Sequence, residues 1–140
     1  MNRRGPNGTF FRNLALASVS LVLLLVVAGL TLTARGRAEM RESDSAFHAG
    51  DLRGAVVHAK AAALAYVPGS NHVLSAYARL EAVAKGAEAA GDGALSRLAW
   101  ETLRSVHRQT DYPGRPVSAW QVRAEQGLKR LDVSYEQRGH

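Results

Sequence analysis

Five histidines, twelve carboxylates and no cysteine define the chemistry open to this chain. Without cysteine there are no disulfides, thiolate metal sites or cysteine nucleophiles. The histidines are His48, His58, His72, His107 and His140. None stands four residues from another, as the ligands of a zinc helix do, and no His-Glu-x-x-His occurs. His107 and Asp111 are four apart, but Asp111 falls where a helix is ending. A metal site needs three or four converging ligands, so these are read as isolated surface histidines and no metal or other cofactor is expected. Glu81, Glu88 and Glu101 are the carboxylates open to acid–base work, and each falls where a solvated helix face is expected. Serine catalysis lacks its Gly-x-Ser-x-Gly elbow. Phosphate binding lacks both Gly-x-x-x-x-Gly-Lys and Gly-x-Gly-x-x-Gly, and Gly91-Asp92-Gly93 reads as a turn. The chain is expected not to be an enzyme.

The charge distribution narrows the partners. The formal net charge is +6, and Arg3, Arg4 and Arg12 supply half of it. From Ala34 onward fifteen basic side chains face twelve acidic ones. That is a mixed, solvated surface and not a nucleic-acid footprint. Gly, Ala and Arg are abundant and Lys is scarce beside Arg, which we read as the mark of a high-GC bacterial genome.

The positioning elements begin with a hydrophobic run. Leu14 to Leu32, LALASVSLVLLLVVAGLTL, has no charge in nineteen residues. As a helix it spans roughly 28 Å, close to the ~30 Å hydrocarbon thickness of a bilayer. A transmembrane helix over residues 14–33 follows, behind a basic arm over 1–13 and ahead of Arg35 and Arg37. The rival reading is a cleaved signal peptide, with Val26-Val27-Ala28 as its cleavage site. Continuation of the apolar run to Leu32 and the arginines after it favour the anchor. Arg3, Arg4 and Arg12 on one side nearly balance Arg35, Arg37 and Arg41 on the other. The short, acid-free arm favours a cytoplasmic N-terminus, with the remainder outside the bacterial inner (cytoplasmic) membrane. Gly29 and Thr33 form a small-xxx-small pair of the kind that lets a second membrane helix approach.

The remainder reads as all-α. Residues 34–49 form a stalk and first helix with a thin apolar pattern (Ala38, Met40, Ala46, Phe47), expected to become buried only near Phe47. Gly50-Asp51 is a helix stop and the next helix start. Leu52, Ala55, Val56, Ala59, Ala62, Ala63 and Tyr66 then mark one apolar face. A third helix covers about 72–90 and a fourth about 94–109, on which Glu101 can pair with Arg97, Arg104 or Arg108. These hairpins occupy 50–110. Residues 111–116 form a Pro-rich loop, 117–136 a last helix that Gly127 weakens, and 137–140 a frayed tail. No segment alternates with period two, so no sheet is expected.

Two stretches share a grammar: AFHAGDLRGAVVHAKAAALAYVP from Ala46 and AEAAGDGALSRLAWETL from Ala87. Each is a helix end, then Gly-Asp, then a helix with small or aromatic residues facing back. The pattern resembles the tetratricopeptide repeat, in which a turn Gly is followed by a small residue five positions on, an aromatic nine on and an Ala twelve on, with a closing Pro. Gly50, Ala55 and Ala62 fit, Pro68 falls one residue late, and Ala59 stands at the aromatic position. Gly91, Ser96 and Trp100 fit in the second unit, where Leu103 replaces the Ala and the Pro is missing. The resemblance covers roughly residues 40–109 and implies a short array of helical hairpins, or a bundle, with a protein-binding surface. It carries over no particular binding residues.

Tyr66, Tyr77, Trp100 and Trp120 fall at helical spacing and are assigned mainly to the core. Tyr112 and Arg115 in the loop, and Arg97, Arg104 and Arg108 on one helix face, are the candidate partner contacts. The function expected is a tethered scaffold or adaptor for a protein partner at or in the membrane. The alternatives are an accessory subunit held mainly through its membrane helix and, behind that, a ligand-binding protein or enzyme.

Overall fold

A computed structural model describes residues 7–67, 70–110 and 118–138. Every element among them is helical: α1 (Asn7–His48), α2 (Leu52–Leu64), α3 (Asn71–Ala89), α4 (Gly93–Thr110) and α5 (Ala119–Arg138). The apolar run and the stalk are one helix. At 1.5 Å per residue, the 42 residues of α1 extend about 63 Å. Its segment from Leu14 to Leu32 packs against no other described helix, and its leucines and valines are 42–67% exposed. That stretch is long and apolar enough to cross a membrane. Ser18, Thr31 and Thr33 return their hydroxyls to carbonyls one turn back, Thr33 to Gly29 at 2.9 Å, which removes three polar groups from an apolar surface.

The two Gly-Asp turns are built alike. Gly50 and Gly91 have φ of 81° and 77°, a left-handed conformation that costs a residue with a Cβ. Around each glycine two amides close back on the preceding helix: Gly50 N–H to Phe47 O and Asp51 N–H to Ala46 O, then Gly91 N–H to Glu88 O and Asp92 N–H to Ala87 O. This is the Schellman closure. The aspartate that follows caps the next helix, accepting from Gly54 N–H (2.9 Å) in the first turn and Leu95 N–H (2.9 Å) in the second. The positions five, nine and twelve beyond each glycine are all buried: Ala55, Ala59 and Ala62 in α2, and Ser96, Trp100 and Leu103 in α4.

Successive helices run antiparallel. Glu39 meets His58 and Ser43 donates to Ala55 O across α1–α2. Tyr77 meets Thr110 across α3–α4, and Arg97 meets Asp132 across α4–α5. The odd helices therefore share one direction, and their contacts advance together: Asp44 with Arg79 between α1 and α3, then Glu81 with Arg123 and Glu88 with Arg130 between α3 and α5. α2 packs on α4 on the other side. The core is rich in alanine (Ala55, Ala59, Ala62, Ala63, Ala76, Ala84, Ala87, Ala99, Ala124) around Leu80, Val83, Trp100, Leu103 and Val106. Such small side chains let helix axes approach to the short end of the usual 8–10 Å.

Burial of the stalk begins well before Phe47, correcting the expectation above. Gly36, Met40 and Ser43 are already buried. Gly36 carries no apolar signal, yet a Cβ there would stand 2.5 Å from Cδ2 of His72 and closer to Nε2. Ser43, fully buried, is satisfied by Ala55 O at 2.8 Å. The last helix also reaches Arg138, past the expected start of the tail.

Candidate partner-binding surface

The face made by α1, α3 and α5 is built around one ridge. Along α3, Ser75, Ala78, Ala82, Gly86 and Ala89 are exposed at three- and four-residue spacing, so the ridge is low and its backbone accessible. Charged groups rise on both flanks. On the α1 side, Arg79 holds Asp44 and lies over the Phe47 ring at 4.2 Å. A groove of about 670 Å³ opens there, lined by Arg37, Arg41, Asn71 and His72 among others.

On the α5 side, Glu81 is the central group. It is only 8% exposed and sits between Lys85 Nζ (2.6 Å) and Arg123 (3.1 Å). Burial by itself raises its pKa. The hydrogen bonds and charges of Lys85 and Arg123 outweigh that and hold the carboxyl below its ordinary value. About two turns along, Glu88 accepts from Trp100 Nε1 at 2.7 Å and takes Arg130 at 3.4 Å, so a single carboxylate joins α3, α4 and α5. Arg123 lies 5.0 Å from the Trp120 ring and Arg130 6.0 Å from Trp100, within cation–π range. A second groove, about 340 Å³, runs between Glu81, Lys85, Arg123 and Arg130.

The expected solvated face for Glu81 and Glu88 is thus corrected. Both point across to α5, and only Glu101 remains on open surface. The surface reading of the histidines also fails for two of them, since His72 is 6% and His107 3% exposed. His107 stacks tilted on Tyr77 and meets the Ser118 hydroxyl through Nε2. A Ser–His contact has the form of an activated nucleophile. Here, though, Ser118 also accepts from Gln121 N–H, as the cap of α5 does, and the imidazole is sealed from solvent. The pair fastens the start of α5. Among the described residues no group of three or more metal-ligating side chains converges.

The arginines foreseen as contacts divide. Arg97 is committed to α5: it binds Asp132 at 2.5 Å, reaches Glu101 at 4.0 Å and lies over Tyr135. Asp132 raises its pKa through that hydrogen bond. Arg104 and Arg108 have no ion pair among the described residues and line a shallow hollow with Glu101. Gly29 has nothing within 4 Å of where a side chain would begin. Pro68, Tyr112 and Arg115 lie outside the described residues. Sequence reading missed the ridge of α3 because small exposed residues resemble any alanine-rich helix. It missed Glu81 because the partner that buries it is on α5, 42 residues away.

No protein-family model, curated protein or solved structure matches this chain.

Proposed function

We propose that this protein is a membrane-anchored, non-catalytic adaptor. Residues 14–33 cross the bacterial cytoplasmic membrane with the basic arm inside. Beyond them a short tetratricopeptide-like array holds a protein partner on the face of α1, α3 and α5. The observation that carries the reading is the turn built twice, at Gly50-Asp51 and Gly91-Asp92, which folds α2 back on α1 and α4 back on α3, so that the odd helices share one direction and line one face. Parallel helices repeated in this way make an extended surface rather than an enclosed pocket, and repeat arrays use such surfaces for binding. The low α3 ridge between charged flanks suits a segment of another protein that brings both signs of charge. Tethering raises the effective concentration of the array near a membrane-bound partner, so a weak face is sufficient.

The test is co-purification from native membranes in mild detergent with a C-terminal tag, followed by mass spectrometry. A stoichiometric envelope partner that is lost on Ala78→Arg with Ala82→Arg supports the reading, since both alanines are exposed and neither packs in the core. A protein that purifies alone at native expression refutes it. Retention of the partner by that variant, with loss on replacing residues 14–33 by an unrelated span, assigns the contact to the membrane helix and its Gly29–Thr33 face instead.

A further inference from the structure

We infer that the groove between the foot of α1 and the start of α3 is a cradle for the phosphate headgroup of an anionic phospholipid in the protein's own membrane. The inference rests on the reading of residues 14–33 as a membrane span. The groove starts at Ala34, the first residue beyond that span, on the same unbroken helix. Arg37 and Arg41 follow at about 4.5 and 10 Å along the axis. The headgroup layer on each side of a bilayer is roughly 5–8 Å deep, so the two guanidinium groups reach through it and just above it.

The charges facing this groove are unbalanced. Arg37 and Arg41 lie one helical turn apart, where like charges disfavour the helix by a few tenths of a kcal/mol. Neither has an ion pair among the described residues. The one carboxylate in the groove, Asp44, is already taken by Arg79. The opposite wall is the first turn of α3. It contains no acidic residue, and its cap, Ser70, spends its hydroxyl on Val67 O instead of on the helix amides. Asn71 adds an amide donor there. Such a helix start favours phosphate. His72 forms part of the same wall. It is 6% exposed, its Nε2 is held by Ala65 O at 2.9 Å, and its Nδ1 has no partner among the described residues. A buried ring nitrogen without a partner costs free energy, and a headgroup hydroxyl is of the kind that supplies one. Two guanidiniums and a helix start around one opening at headgroup depth, with an unsatisfied imidazole nitrogen buried in the wall behind them, match a phosphodiester bearing a hydroxylated head.

The experiment uses the full chain reconstituted in phosphatidylcholine membranes with and without phosphatidylglycerol as a minority lipid. Flotation after carbonate washing reports insertion. Native mass spectrometry of protein released from mixed nanodiscs reports which lipid stays bound. The expected result is flotation in both membranes and retained phosphatidylglycerol well above its share of the disc. Arg37→Gln and Arg41→Gln each reduce that enrichment about fivefold, the equivalent of ~1 kcal/mol per basic residue at a membrane surface, and leave flotation unchanged. Arg35→Gln, beside the groove but not lining it, leaves the enrichment intact. Failure to float overturns the membrane reading itself. Flotation with no phosphatidylglycerol enrichment, or with Arg35→Gln as damaging as Arg41→Gln, overturns the cradle and leaves only a diffuse attraction.

Discussion

Gly127→Ala is the sharpest test of how α5 is seated. In isolation the change favours a helix by up to ~1 kcal/mol. In the folded protein a Cβ at this position would stand 2.6 Å from both Cδ2 and Nε1 of Trp100, and closer still to Cε2. Optimal carbon contacts are about 3.5–4.0 Å, so the indole or α5 has to retreat by roughly 1 Å. The indole cannot retreat freely, because Trp100 is 1% exposed and its Nε1 is held by Glu88. Overpacking a filled site costs about 1–3 kcal/mol. After the propensity gain is subtracted, the variant should be less stable by up to about 2 kcal/mol, or as much as roughly 10 °C in Tm for a domain of this size. Gly86→Ala is the matched control. That glycine is also inside a helix, but nothing lies within 4 Å of its would-be Cβ, so the same substitution should stabilise by about 0.5–1 kcal/mol. Both tryptophans lie in the array, so urea unfolding in mild detergent followed by fluorescence isolates the array from the helix of residues 14–33. Opposite signs at the two glycines are required. Stabilisation by both would mean that α5 does not cross Trp100 at Gly127.

Further outcomes follow from the same geometry. Acidification should loosen α5. Glu81 has a folded pKa below its unfolded one, so its contribution is complete above the ordinary glutamate range and is lost as pH falls through the lower, folded value. Glu81→Gln should flatten the acid limb of a Tm-versus-pH series, and an unchanged limb would discount the Lys85–Glu81–Arg123 group. Trp100→Phe removes a buried hydrogen bond to a carboxylate along with part of the core, and should cost about 2–4 kcal/mol in urea unfolding followed by circular dichroism. Asp51→Ala and Asp92→Ala should each cost about 1 kcal/mol as lost caps. Because they serve different turns, the double variant should show close to the sum.

Helices, turns and caps were legible in the sequence because each carries a local signal. Gly50-Asp51 and Gly91-Asp92 announce a stop and a start, and the apolar faces of α2 and α4 repeat at helical spacing. The sides of the helices that meet distant partners carried no such signal. Gly127 read as a weak point of a helix and Gly36 carried no signal, whereas each is an opening that a ring from another helix enters. Glu81 reads as a solvated acid because Arg123, which covers it, is remote in sequence. His72 and His107 read as surface polar residues until Gly36 and Ser118 close over them. The ridge of α3 was hidden for the opposite reason: exposed alanines follow the same periodic pattern as buried ones.

The continuity of α1 has a mechanical consequence. No hinge, proline or glycine pair separates the apolar stretch from the first packed helix of the array, so the two move as one rod. Rotation of the apolar stretch about its axis then turns the whole array through the same angle, and a tilt swings its far end like the arm of a lever. The azimuth at which the α3 ridge faces a neighbour is therefore written in helical phase. Inserting a single residue between Thr33 and Arg35 would swing that ridge by about 100° around the axis of α1 and raise it by about 1.5 Å, with every contact inside the array kept.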